Sequence, residues 1–190
     1  DSLGNSDSFS GTFNGNGHVI SNITYNTGGY NPAGLFNGPS GVIKNLGVEN
    51  VNISGAIAGG ICAVGNNTTI ENCYVTGGTI HGSFPSGGLV GWNYNGSTIT
   101  IKDCYTNVNV TAGASENGGY ICGSDSGTII SENNYYVDNG DAIANTNTSG
   151  CTSISESGLN QLLGGDFDYK NNTEWLTNMI NAGAIIISKP

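Results

Sequence analysis

One unit recurs along most of this chain at intervals of 23 to 31 residues, and that period limits the possible folds more than any other feature. The clearest copy is Gly87 to Tyr105, GGLVGWNYNGSTITIKDCY. Its first half, a Gly-Gly pair with a short apolar run, returns as GGIC at Gly59 to Cys62 and GGYIC at Gly118 to Cys122, and in reduced form as AGLF at Ala33 to Phe36. The second half returns as TIENCYV at Thr69 to Val75, with echoes at Val19 to Tyr25, Val42 to Val48 and Ile130 to Val137. The second Gly of the first half falls at 34, 60, 88 and 119. The polar residue at the centre of the second half falls at 22, 45, 72, 103 and 133.

Each unit carries three short apolar-alternating runs separated by Gly- or Asn-containing turns, which predicts three short strands per coil. Helices are excluded because Gly and Asn break every run long before three turns could form. One coil cannot bury its apolar face alone, whereas stacked coils bury it against one another. The expected architecture is therefore a right-handed parallel β-helix, a solenoid of about five short rungs.

Four inward stacks follow from the spacing. The first is Ile20, Ile43, Ile70, Ile101 and Ile130; the second is Leu35, Ile61, Leu89 and either Tyr120 or Ile121. The third is Leu46, Cys73 and Cys104, extended to Asn134, and the fourth is Ile53, Ile80 and Val110. An interior Asn has to hydrogen-bond its amide to a neighbouring Asn or to backbone. The Gly pairs are expected at corners, through positive φ or close backbone approach.

Residues 1–8 read as a polar lead-in, 9–140 as the repeats, and 141–190 as a closing segment of the same domain. In that segment Asp141 to Ile154 reads as polar loop. SESGLNQLL (155–163) reads as a capped helix, TEWLTNMINA (173–182) as a second helix and AIIIS (184–188) as a last strand. Together they form the expected C-terminal helical cap over the open solenoid end.

Composition excludes several functions. The net charge is −10 with four Lys and no Arg, so nucleic-acid binding is not expected and an anionic membrane would repel the chain. No apolar run reaches the length of a membrane span, so no membrane insertion is expected. The five Cys lack the close paired spacing of a zinc site. Cys73 and Cys104 share a repeat position about 4.8 Å apart if the coils stack. That separation suits a disulfide and equally a ladder of buried thiols.

The repeats GGLVGWNYNGSTITIKDCYTNVNV and GGICAVGNNTTIENCYVTGGTI resemble GLUG-motif repeats. The entry FSGTFNGNGHVISNITYN resembles the segment that leads into them, and NNYYV with SESGLNQLLGGDFDYKNNTEW resembles the segment that closes them. The likeness spans residues 9–176. It departs from the pattern at Gly119 to Gly123, where Tyr120 stands in place of the motif Leu. The resemblance implies a parallel β-helix in a secreted or cell-surface bacterial protein of adhesin type, part of a larger multidomain chain. Such repeats also occur beside immunoglobulin-A peptidase domains, where they are accessory, so the resemblance carries over no catalytic residue.

The residues themselves also point away from catalysis. Asp103 shares its register with Asn45, Asn72 and Asn133, which assigns it a structural role, and Asp166 and Asp168 fall in the presumed cap. The Lys residues lie apart in sequence, and His18 and His81 have no evident metal or triad partners. DNGD at Asp138 to Asp141 reads as an Asx turn in preference to a calcium loop. Neither catalytic residues, a metal nor a cofactor is expected. The Thr positions keep no single register of the kind a flat ice-binding ladder requires.

Trp92, Asn93, Tyr94 and Asn95 are the candidate ligand contacts, because flat aromatics beside amides suit sugar faces or a protein hot spot. The expected function is a non-enzymatic adhesin-type module that binds an extracellular glycan or a host or neighbouring-cell protein, or that acts as a spacer. The alternative is a carbohydrate-active β-helix enzyme, which would need two carboxylates converging on one cleft.

Overall fold

The computed structural model describes residues 9–113, 118–139 and 150–157. The first turn contains β1 (Thr12–Asn14), β2 (Val19–Ser21) and β3 (Thr24–Asn26), followed by bridging residues Ala33 and Phe36. The second holds β4 (Val42–Gly55), β5 (Ala58–Gly59) and β6 (Cys62–Gly65), and the third β7 (Thr69–Gly82), β8 (Ser86–Gly87) and β9 (Val90–Asn93). The fourth runs through β10 (Thr98–Lys102), β11 (Tyr105–Thr106), β12 (Asn109–Ala112), β13 (Gly118–Gly119) and β14 (Cys122–Asp125). All pairings between coils are parallel, as between β4 and β7, where Val42 faces Thr69 and Gly55 faces Gly82.

The described part is thus a parallel β-solenoid of about four turns, fewer than the five rungs expected. Beyond them, β15 (Thr128–Glu132) and β16 (Asn134–Val137) begin a fifth. There β17 (Cys151–Ile154) pairs with β16 only 17 residues on, against a step of 30 from β11 to β16, which is too short for another full coil. β17 also corrects the expected polar loop over 141–154. Among the described residues only Glu156 and Ser157 are helical and no helix element forms, so the helical cap is not part of the described fold. The helix expected over 173–182, the strand over 184–188 and most of the helix over 155–163 lie outside the described residues, as do Asp166 and Asp168.

The chain turns its corners on left-handed residues. Asn45 (φ 57°) and Asn50 (φ 53°) bend β4; Asn72 (φ 50°) bends β7; Asp103 (φ 52°) separates β10 from β11; Asn133 (φ 54°) separates β15 from β16. Asn and Asp enter this conformation more readily than other side-chain-bearing residues, because the short polar side chain bonds locally. The repeating polar residue is therefore a corner residue, and the structure supports a structural role for Asp103. These side chains also bond between coils. Asn45 Nδ2 donates to Asn14 Oδ1 (2.9 Å), Asn72 Nδ2 to Asn45 Oδ1 (3.4 Å) and Asn133 Nδ2 to Asp103 Oδ1 (3.2 Å).

Inside, Leu35, Ile61, Leu89 and Ile121 form one stack, which settles the alternative in favour of Ile121. Ile53, Ile80 and Val110 form another, begun by Tyr25. Leu46, Cys73, Cys104 and Asn134 form a third, continued by Cys151. Asn134 is fully buried and fully bonded: its amide donates to Ile101 O (2.8 Å) and Ser131 Oγ (2.7 Å) and accepts from Cys104 N (3.0 Å).

The remaining stack differs from expectation at both ends. Phe13, not Ile20, faces Ile43, and Ile20 pairs with Val48. Ser131, not Ile130, faces Ile101, and Ile130 points outward at 49% exposure. The Gly pairs are explained by crowding and not by positive φ: none of Gly59, Gly60, Gly87, Gly88 or Gly119 is left-handed, and a Cβ on each would crowd neighbouring atoms. Tyr120 likewise stands in register with Gly88 and not with the motif Leu, since Gly119 pairs with Gly87. Its ring stacks on Tyr136 (4.7 Å, 12°), and its hydroxyl bonds Asp138.

Candidate functional site

Trp92 lies near the end of β9, where Val64 and Ser124 flank it in register. Val90 turns inward and is fully buried, and the loop 94–97 then carries the chain to β10. Trp92 is half-buried, and its Nε1 donates to Ser126 Oγ at 3.2 Å. Its ring meets Tyr94 edge to face, with centroids 5.5 Å apart at 61°. Tyr94 is 53% exposed, and Asn95 is exposed beside it.

Asn93 differs from its three companions. It is fully buried, donates Nδ2 to Thr128 O (3.0 Å) and accepts Ser97 Oγ (2.6 Å) on Oδ1. Its amide locks the corner below the loop and is spent there, so Trp92, Tyr94 and Asn95 are the surface-facing members of the group.

Tyr74 and Tyr105 form the aromatic ladder expected from sequence, stacked at 5.0 Å and 7°, with Tyr135 next in register. Tyr74 is fully buried and donates its hydroxyl to Glu49 Oε1 at 3.1 Å, which makes the ladder architectural.

The charged side chains also follow the register. Lys44, Glu71, Lys102 and Glu132 occupy one column of alternating sign on successive coils, and Lys102 Nζ lies 3.3 Å from Glu132 Oε2. The lysines of the repeats are therefore aligned, although they lie far apart in sequence. His81 is exposed, its Nδ1 2.9 Å from Thr111 Oγ1. Among the described residues no group of His, Cys, Asp and Glu could hold a metal ion. Asp138 accepts the Tyr120 hydroxyl, which ties the one described Asp of the DNGD segment to the fold.

Cys62, Cys73 and Cys104 are buried free thiols, Cys122 is buried and Cys151 is partly buried. Cys73 Sγ donates to Glu71 O (3.2 Å) and Cys104 Sγ to Lys102 O (3.0 Å). Burial pushes the Cys62 and Cys104 thiols well above their ordinary range, because a thiolate there would lose its hydration. The folded state therefore keeps protons that the unfolded chain releases above about pH 8.5. Stability carried by these thiols is fully present below that pH and is lost as the pH rises toward their folded values. Denaturant melts at pH 7 and pH 10 should show it falling, by up to about 1.4 kcal/mol per thiol per pH unit. A flat profile would contradict the burial.

No protein-family model matches the chain. Over 87 residues, 45% of its length, it is 40% identical to halomucin of Haloquadratum walsbyi, of which the match covers 1%. The crystal structure of a proposed immunoglobulin A1 protease from Bacteroides ovatus matches 75% of this chain and 41% of that one, with 27% identity and a TM-score of 0.50. The matched region thus covers less than half of either protein. No helix among the described residues is long and apolar enough to cross a membrane. What fold and comparisons jointly support is a parallel β-solenoid repeat domain that resembles segments of larger proteins.

Proposed function

We propose that this domain is a non-enzymatic, extracellular repeat module of a larger adhesin-type surface protein, of the kind that GLUG-motif repeats build. Its Trp92 loop contacts a glycan or a partner protein. The observation that carries this reading is the edge-to-face pair of Trp92 and Tyr94 at a loop tip held by the buried Asn93 amide. A rigid scaffold presenting exposed aromatic rings with an adjacent amide, Asn95, suits a sugar face and its hydroxyls. The likeness to a segment of halomucin, a protein whose name marks it as mucin-like, supports a place at the cell surface.

The non-enzymatic reading is supported by the ties of four of the described carboxylates. Glu49 holds Tyr74, Asp103 holds Asn133, Glu132 holds Lys102 and Asp138 holds Tyr120, and none of these ties pairs two carboxylates across a cleft. The purified domain, passed over an immobilised glycan panel, is expected to be retained without releasing oligosaccharide. Tyr94→Ala should weaken retention about tenfold, the effect of removing a modest hot spot. Product release would overturn the non-enzymatic reading. No retention would overturn glycan contact and leave the protein-binding or spacer role.

A further inference from the structure

The strand segment that follows the Asn50 bend turns a flat, uncharged face to solvent. One outward column runs Thr24, Asn52, Thr79 and Asn109, in register across four coils and exposed throughout. Two residues further along each strand runs a second column, Asn26, Ser54, His81 and Thr111. Between them Tyr25, Ile53, Ile80 and Val110 point inward, so the strands are fixed by the core and the outward groups sit at fixed spacing. Coils repeat about every 4.8 Å, giving a strip about 14 Å long with two hydrogen-bonding side chains at each level.

The loops that leave these strands bring aromatic rings to one edge. Tyr30, after β3, is 90% exposed, and Phe84, after β7, is 59% exposed. The loops stack on each other: Ala56 N donates to Asn31 O (2.9 Å) and Phe84 N to Ala56 O (2.8 Å). A Cβ at Gly29 would stand 3.1 Å from Ser83 Oγ, so the residues just before Tyr30 and Phe84 adjoin across the intervening coil.

We propose that this face binds an extended neutral polysaccharide running along the stacking axis, at a site distinct from the Trp92 loop. Charge selects the occupant. The chain carries a net −10, yet no carboxylate or ammonium stands on residues 24–26, 51–55, 78–82 or 108–112. A polyanion is repelled by the chain as a whole, and a polycation finds no carboxylate on this face. An apolar partner would strand two columns of amides and hydroxyls. A surface that presents hydrogen-bonding side chains without carboxylate or ammonium at every coil matches a polymer that repeats its own neutral hydroxyls. Tyr30 and Phe84 supply flat faces against which pyranose rings pack.

Affinity electrophoresis of the whole chain in gels containing mannan, laminarin, dextran or hydroxyethyl cellulose tests this, with alginate as the polyanion control. Retardation is expected on at least one neutral polymer and not on alginate. Thr79→Glu, and separately Tyr30→Ala with Phe84→Ala, should weaken it at least tenfold with unchanged thermal melting. These positions are exposed, so loss of fold is not expected, and the melting curve checks it. Retardation on no neutral polymer overturns the proposal, as does retardation on alginate alone. Retardation that survives the face variants overturns it too. If such retardation falls with Trp92→Ala, the loop reading stands while this one fails.

Discussion

Gly87→Val is expected to prevent the solenoid from folding, or to cost more than about 4 kcal/mol if it still forms. A Cβ built on Gly87 would collide with Val90 O and stand 2.6 Å from Gly123 N and 3.0 Å from Cys122 C. All three are backbone atoms of the tight passage between the two short strands of one coil and of the coil above. No side-chain rotamer can relieve that contact, because the ladder that would have to shift is the ladder that stacks Leu89 on Ile121. Gly96→Ala is the matched control. Its position is left-handed (φ 77°) but open, with no atom within 4 Å of the added carbon, so it should cost only the conformational strain of about 1–2 kcal/mol. Circular dichroism and urea melts of the two variants separate crowding from dihedral strain. Similar losses for both would contradict this account.

Asn45→Ala should lose about 3 kcal/mol, from two sources that a second variant separates. Asn45 is fully buried and left-handed, a conformation that costs an Ala about 1–2 kcal/mol. Its amide also links Asn14 below to Asn72 above, and removing it strands the Asn72 amide, which is 3% exposed, at a cost of about 1–3 kcal/mol. Asn45→Gly relieves the dihedral strain but not the missing amide, so it should fall between wild type and Ala. Equal stability of Ala and wild type would show that the ladder contributes nothing.

The parts of this fold that were legible in the sequence are those written by corners. Asn45, Asn72, Asp103 and Asn133 share one left-handed conformation, and their spacing alone set the coil length. Register failed where two adjacent residues were both plausible core. In TIIS at 128–131 the alternation permits either Ile129 or Ile130 to face inward. A slip of one residue reverses the faces, and the bend at Asn133 decided for Ile129. Ile20 was misplaced because the first coil spends Asn16 and Gly17, both left-handed, on an extra turn that later coils lack.

The alternating charge column was missed although its signal was visible. Lys44, Glu71, Lys102 and Glu132 each stand immediately before a corner residue, so a shared register implied a shared column. Of the candidate site, the aromatic pair was legible and the role of Asn93 was not. An Asn between two aromatics reads as a surface amide until its hydrogen bonds to Thr128 and Ser97 are seen. The neutral face could not be read at all until the inward column of Tyr25, Ile53, Ile80 and Val110 fixed which side of the strand faces water.

Because every ladder among the described residues is parallel and joins one coil to the next, its backbone hydrogen bonds run along the stacking axis. Tension along that axis loads them one coil at a time, as in unzipping, and never the whole sheet at once. A coil of 27 to 31 residues, the steps from Val42 to Thr69 and from Thr69 to Thr100, pays out about 100 Å of chain when it yields. Under such a load the described coils would yield in discrete increments, and those still stacked would keep their faces intact.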